Sequence, residues 1–275
     1  MNVMCDIFEL SRSGYYAWIG RPASAREVRR LELDERIGAT HADSGGLYGA
    51  PRITAELRAA GVVVTEKTVA RRMRRNGLRA RTCRRFKPRT TDSNHPYPFA
   101  PNRLDRDFAA PAPNRKWACD ITYIPTQEGW LYLAVVIDLF SRRIVGWSMA
   151  DHLHATLCTN ALEMALLHRR PGKGLLHHSD RGVQYCCDDY QTLLTQRHLV
   201  PSMSHAGDCY DNAVAESFFG TLKQELVYLQ PGGRFASHAQ ARAMIFEYVE
   251  MFYNRRRRHS AISYQSPESF EASLN

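Results

Sequence analysis

Three β-rich runs, residues 117–125, 130–140 and 143–149, follow one another with short breaks. Strand-forming segments spaced so closely leave no room for a crossover and predict an antiparallel meander. The longest apolar stretch, residues 130–137, lies in the middle run, and Asp138 ends it. A bilayer span needs about 20 apolar residues, so this stretch predicts a buried strand and no membrane segment. After the meander the period changes. Residues 154–170 read as a helix, with Leu157, Ala161, Met164, Ala165 and Leu167 on one side and Pro171-Gly172 as its stop. Residues 175–178 and 199–203 read as short strands, and residues 188–198, 212–228 and 239–253 as helices. Strands followed by alternating helices and strands predict an α/β domain with a mixed five-stranded sheet.

The region before the meander has helical texture. A helix is expected over residues 31–40, then a turn cluster at Asp43-Ser44-Gly45-Gly46. Pro51 opens a second helix that ends at Gly61 and turns Ile53 and Leu57 inward. Thr65 is a good N-cap for a third, which Gly77 closes. Val69 and Met73 form its apolar stripe, and Lys67, Arg71, Arg72, Arg74 and Arg75 fill the rest. Two helices across a tight turn, the second rich in arginine, predict a helix-turn-helix with the third helix towards DNA. The chain of 275 residues has length for about two domains. The expected division is a helical segment over 1–30, the helix-turn-helix over 31–90, a Pro-rich basic linker over 91–112 and an α/β domain over 113–275. The linker rests on the prolines at 96, 98, 101 and 111, with a basic run at 84–89 just before it.

Charge is partitioned in the same way. Residues 1–90 hold 19 basic and 9 acidic residues, whereas the rest hold 18 and 19. From residue 67 to residue 89 there are 11 basic residues and no acid. A solvated surface is the plain reading. Density of one sign, however, costs self-repulsion unless a polyanion is near, which favours a phosphate-binding face. The composition, 44% hydrophobic and 24% charged, excludes collagen-like, mucin-like or wholly disordered chains. No basic region followed by an apolar one opens the chain, so no secretory signal is expected. The seven cysteines contain no C-x-x-C pair, and the vicinal Cys186 and Cys187 suit no disulfide. Reduced thiols in a cytoplasmic protein fit best, and zinc-ligand spacing is absent.

Three carboxylates stand out by position. Asp120 lies inside a strand among apolar residues, where a charge is costly without a metal or partner. Asp180 ends a strand where Arg181-Gly182 turns away, the usual edge for sites in open α/β sheets. Glu216 opens a helix, 35 residues intervening after Asp180, and Lys223 lies two turns on along the same face. Carboxylates on adjacent strands and a facing helix can share one or two divalent ions. Their hard oxygens select Mg²⁺ or Mn²⁺. Two such ions suit in-line phosphoryl displacement. Taken singly, Asp120 reads equally as a satisfied buried acid, Asp180 as a turn residue and Glu216 as a cap or a partner of Lys223.

The segments KWACDITYI, VVIDLFSRRIVGW, HHSDRGVQY, DNAVAESFFGTLKQEL and YNRRRRHSAISYQSPESF together resemble the catalytic proteins of insertion-sequence transposases of the insertion sequence three family. Those proteins are similar to retroviral integrases in their catalytic core. SRSGYYAW and YGAPRITAELRAAG…VARRMRRNGLRA resemble their helix-turn-helix part, so the likeness covers nearly the whole chain. The resemblance implies a ribonuclease-H-like catalytic domain with an acidic triad on Asp120, Asp180 and Glu216 and a basic residue on Lys223. It also implies metal-dependent 3′-end nicking and strand transfer of an insertion sequence, through a circular intermediate. The implied partners are terminal inverted repeats, target DNA and further copies of the chain. A small preceding reading frame, often fused by frameshifting, is expected upstream of SRSGYY, and the implied location is the bacterial cytoplasm and nucleoid. Val183 departs from the pattern, standing where a small polar residue is common.

Other residues carry secondary expectations. Asp138 is expected to be structural, Asp188-Asp189 to cap a helix and Asp211-Asn212 to start one. His178, Arg181, Gln184 and Tyr185 flank Asp180 and are candidates for DNA contact. Arg255, Arg256, Arg257 and Arg258 read as a second DNA-contacting patch. Two rival functions remain open. His178, Arg181 and Tyr264 match the spacing of a tyrosine recombinase, and a DNA-binding regulator with a silent catalytic fold would use the same helix-turn-helix.

Overall fold

The computed structural model describes residues 7, 11–81, 96–205 and 209–273. The chain forms two compact units, residues 1–81 and residues 82–275.

The first unit contains α1 (Arg12–Ile19), α2 (Ala25–Asp43), α3 (Ala50–Ala59) and α4 (Glu66–Arg75). Ser11, Ser24 and Thr65 cap α1, α2 and α4, each hydroxyl oxygen accepting from the amide three residues on. Helix α2 starts earlier than the expected residue 31 because Ser24 supplies that cap. Gly61 and Gly77 take left-handed φ of 78° and 69° just past α3 and α4. The chain then folds back, Val62 N donating to Leu57 O and Leu78 N to Met73 O. Ile37, Tyr48, Ile53, Leu57, Val69 and Met73 form the buried core of this helix-turn-helix.

The second unit is built on a sheet of β1 (Lys116–Thr126), β2 (Gly129–Asp138), β3 (Ile144–Ala150), β4 (Leu176–Ser179) and β5 (Val200–Met203), in the order β3-β2-β1-β4-β5. The expected meander is β1–β3; β4 and β5 add in parallel. Parallel strands need a crossover, which α5 (Ala155–Arg169) provides. One face of the sheet packs on α5, α6 (Val183–Cys186) and α7 (Asp188–Gln196) through Trp117, Cys119, Val136, Leu157, Ala161 and Tyr190. The other packs on α8 (Ala213–Glu225) and α9 (His238–Glu247), with Ile124, Leu133, Val135 and Ile137 meeting Phe218, Leu222 and Ile245. Period-two alternation therefore sends β2 side chains into two cores. A Cβ on Gly146 would stand 2.2 Å from Ala161 O and 2.7 Å from Ala165 N, so α5 rests directly on the β3 backbone.

Three expectations change here. Leu167 of α5 is 67% exposed; the buried rows run through Leu157, Ala161 and Ala165, and through Cys158 and Leu162. The helix expected to reach residue 253 ends at Glu247 and widens into a π turn, Tyr248–Tyr253, followed later by α10 (Pro267–Ala272). The stretch expected as a linker is, from residue 96, an arm laid on the α/β unit. Leu104 is buried against Ala118 and Leu139, and the amides of Arg103 and Leu104 donate to Ser202 Oγ. The basic run at 84–89 lies outside the described residues. Among the described residues no helix is long and apolar enough to cross a membrane.

Candidate active site

Asp120 faces Val135 across β1 and β2. On its other side β1 pairs with β4 only as far as Ala118↔His178. Beyond that pair the strands part. Asp120 stands two residues past it on β1, and Asp180 two residues past it on the chain leaving β4. Residues two apart on a strand share a face, so Asp120 lies on the side of Ala118 and Ile124. Helix α8 packs against β1 on this side, with Glu216 in its first turn and Lys223 in its last. The opening between the two strands and the start of α8 thus meet at three acids.

The three acids and Lys223 also act on one another electrostatically. Burial pushes the Asp120 carboxyl well above the usual range, and the negative charges of Asp180 and Glu216 push it further. The Ile121 amide, 2.8 Å from Oδ1, and the Lys223 ammonium pull the other way. Burial lowers the Lys223 pKa while Asp120 raises it. Asp180 Oδ1 accepts from Gly182 N at 2.9 Å. A Cβ at residue 182 would lie 3.1 Å from that oxygen, so glycine lets the turn close on the carboxylate. Among the described residues no three His, Cys, Asp or Glu side chains are already drawn into a metal cage. The site is an open convergence of carboxylates, one held in an environment that disfavours its charge. An all-carboxylate oxygen set of this kind fits a hard divalent cation.

The flanking residues are less available than expected. His178 is buried with its ring nitrogens 2.9 Å from Ser202 Oγ and 3.2 Å from Ser204 Oγ, so it faces the β4–β5 interior and not DNA. Burial lowers its pKa to about 4. Tyr185 is also buried, and Gln184 donates to Leu153 O. Arg181 donates from Nε to Ser204 O, its guanidinium 4.6 Å from the Phe99 ring centre. An interior His178 cannot serve the tyrosine-recombinase pattern. Asp138 is structural as expected: it is buried and accepts from the amides of Asn114 and Phe140. Asp188 and Asp189 lie in the first turn of α7, after Cys187, which takes the cap position.

Two of the expected DNA contacts are turned inward. Arg72 is buried in an ion pair with Asp34 of α2, so it ties helices together. Arg257 is buried, donating two 2.7 Å hydrogen bonds to Glu225 at the end of α8. Lys67, Arg71, Arg74 and Arg75 are exposed on α4, as are Arg255 and Arg256 later in the chain. Arg255 lies 3.5 Å from Glu268, and Arg258 donates to Tyr264 O. The residue that sequence reasoning undervalued is Asp211. Asp211 and Asn212 lead into α8 as expected, Asn212 taking its N-cap, but the Asp211 carboxylate is in addition buried.

This arrangement is that of an integrase-type catalytic domain behind a helix-turn-helix. Family models for an integrase core domain match residues 110–209 and 197–267, and the model for an HTH-like domain matches residues 28–87. Transposase InsF for insertion sequence IS3A of Escherichia coli K12 is 47% identical over 273 residues, which cover 98% of this chain and 93% of that protein. The insertion element IS600 31 kDa protein of Shigella sonnei is 44% identical over 267 residues, 97% of each. Among solved structures, a chain of a simian T-cell lymphotropic virus intasome aligns with 14% identity and a TM-score of 0.49, covering 86% of this chain and 74% of that one. The HTLV-2 integrase catalytic core domain in complex with magnesium aligns with 16% identity and a TM-score of 0.46, covering 58% and 98%. The chain belongs to the IS3 family of transposases.

Proposed function

We propose that this transposase nicks the 3′ ends of an insertion sequence and joins them to target DNA at Asp120, Asp180 and Glu216. The observation that carries the reading is the parting of β1 and β4, which leaves Asp120 and Asp180 at matched positions under the charge of Glu216. The three carboxylates would hold Mg²⁺ or Mn²⁺, two ions in this reading. Bound there, such ions lower the pKa of an attacking water or 3′-hydroxyl and stabilise the leaving oxygen. The chain's own groups set the stage. The Ile121 and Gly182 amides orient Asp120 and Asp180. Lys223, on the same helix face as Glu216, offers a cation to a DNA phosphate. The exposed Lys67, Arg71, Arg74 and Arg75 grip the duplex of the element end, with Arg181, Arg255, Arg256 and Arg258 as further phosphate contacts. Two ends must be held at once, so the working form is a multimer of this chain on DNA, fused to the product of the preceding frame, in the bacterial cytoplasm.

The test is joining of a labelled, pre-nicked element end, with the upstream frame fused, in Mg²⁺ or in EDTA. Glu216→Gln is expected to lower joining by about a thousandfold or more while DNA binding persists. Joining that survives both EDTA and the substitution would overturn the triad. Binding without joining by the unsubstituted protein, on the correct end sequence, would favour a DNA-binding regulator.

A further inference from the structure

Asp211 stands five residues before Glu216, in the 3₁₀ turn that leads into α8. Its side chain is 2% exposed. A carboxylate is buried at such a place only when donors meet it. Its Oδ2 accepts from the His205 amide at 2.8 Å and from Asn102 Nδ2 at 3.0 Å, and His205 Nδ1 lies 2.8 Å away. Its Oδ1 accepts from Arg106 Nε at 2.9 Å. Burial pushes the carboxyl up, but these donors outweigh it and hold the pKa at about 2.

The donors come from two separate segments. Asn102 and Arg106 belong to the arm ahead of β1, and His205 follows β5. The next residue, Asn212, donates from Nδ2 to Cys119 O at 3.0 Å, immediately beside Asp120. The entry to α8 is therefore fastened to the arm by one residue and to the Asp120 strand by the other. The arm bends unusually to make this reach. Asp105 and Arg106 take φ of 45° and 60°, a left-handed conformation that side chains with a Cβ rarely adopt. Such backbone persists where the surroundings over-determine it, and it gathers at functional sites.

We infer that Asp211 is a positioning residue for transposition. By joining the arm to the start of α8, it sets where Glu216 stands relative to Asp120 and Asp180. The inference rests on the reading of those three acids as the reacting site.

The experiment uses the full chain fused to its upstream frame, with Asp211→Asn and Arg106→Gly. Glycine suits the left-handed backbone at residue 106, so this variant removes the guanidinium without straining the arm. Each variant is expected to join pre-nicked ends about tenfold more slowly at saturating DNA. Affinity for the end should stay within about twofold, and amide exchange should quicken over residues 213–217 but not in β1–β3. The double variant should be no slower than the slower single one, because the Asp211–Arg106 pair that Arg106→Gly removes is already broken in Asp211→Asn. Unchanged exchange over residues 213–217 in both variants would overturn the inference, as would a loss confined to DNA affinity. Should Asp211→Asn fail to fold, Arg106→Gly decides alone. If the unsubstituted protein joins nothing in Mg²⁺, the triad reading fails, and exchange over residues 213–217 still decides whether Asp211 fixes the entry to α8.

Discussion

Arg71 and Arg72 are neighbours in sequence with opposite tasks. Arg71 is exposed on α4, whereas Arg72 is buried against Asp34. Arg71→Ala is expected to reduce the slope of log K against log salt by about one and to leave stability within about 0.5 kcal/mol. Arg72→Ala strands the Asp34 carboxylate and should cost about 3 kcal/mol on urea unfolding, with the slope unchanged while the protein is folded. Equal slopes for the two would refute the assignment. The distinction was not legible locally. The partner lies 38 residues away on another helix. The same holds for Arg257 with Glu225 and for His178 with Ser202 and Ser204, whose inward direction depends on tertiary partners. Asp120 and Glu216 were legible because their types conflict with their surroundings: an acid in an apolar strand, and an acid opening an apolar helix.

Elements were read most faithfully where one period governs a segment. The meander announces itself by alternation, α4 by its cap Thr65 and α5 by its stop at Pro171-Gly172. Failures fall where packing of a neighbour decides. The side of α5 that is buried is set by the close approach of β3, which draws the row of Ala161 and Ala165 onto Gly146 and rolls Leu167 out to solvent. The π turn at Tyr248–Tyr253 brings Tyr248, Val249 and Tyr253 into the core together, a demand that a 3.6-residue period does not reveal. Gly146→Ala tests this packing. The added methyl meets helix backbone and not a flexible side chain, so the helix must shift. The expected cost is about 2–3 kcal/mol in denaturant unfolding, with loss of joining in proportion to unfolding. A neutral substitution would show that α5 floats above the sheet.

At the scale of the whole molecule, the charge partition and the acid site divide one task between two bodies. Replacing Lys67, Arg71, Arg74 and Arg75 together by alanine should weaken DNA binding by more than about a hundredfold at moderate salt. It should leave intact the rise in melting temperature, a few degrees at saturating ion, that the proposed Mg²⁺ binding at the three acids predicts. Asp120→Asn with Glu216→Gln should do the reverse, abolishing the Mg²⁺ effect and sparing affinity. If either set of substitutions removes both properties, the division is wrong. The boundary itself was only half legible. Prolines mark the arm at residues 96–112 as irregular, but irregular backbone is not unattached backbone, and the hydrogen bonds that anchor Arg103, Leu104 and Arg106 go to Ser202 and Asp211, about a hundred residues downstream.

The parting of β1 and β4 also fixes an order of events. The first helical unit and the β1–β3 meander are made of contacts near in sequence and can form as the chain emerges. Asp120 then waits some sixty residues for β4 to arrive beside it and close to a hundred for α8. On the proposed role of Glu216, a chain that halts before that residue is expected to keep the DNA-binding first unit and to lack the joining activity, which would make it a competitor for the same ends.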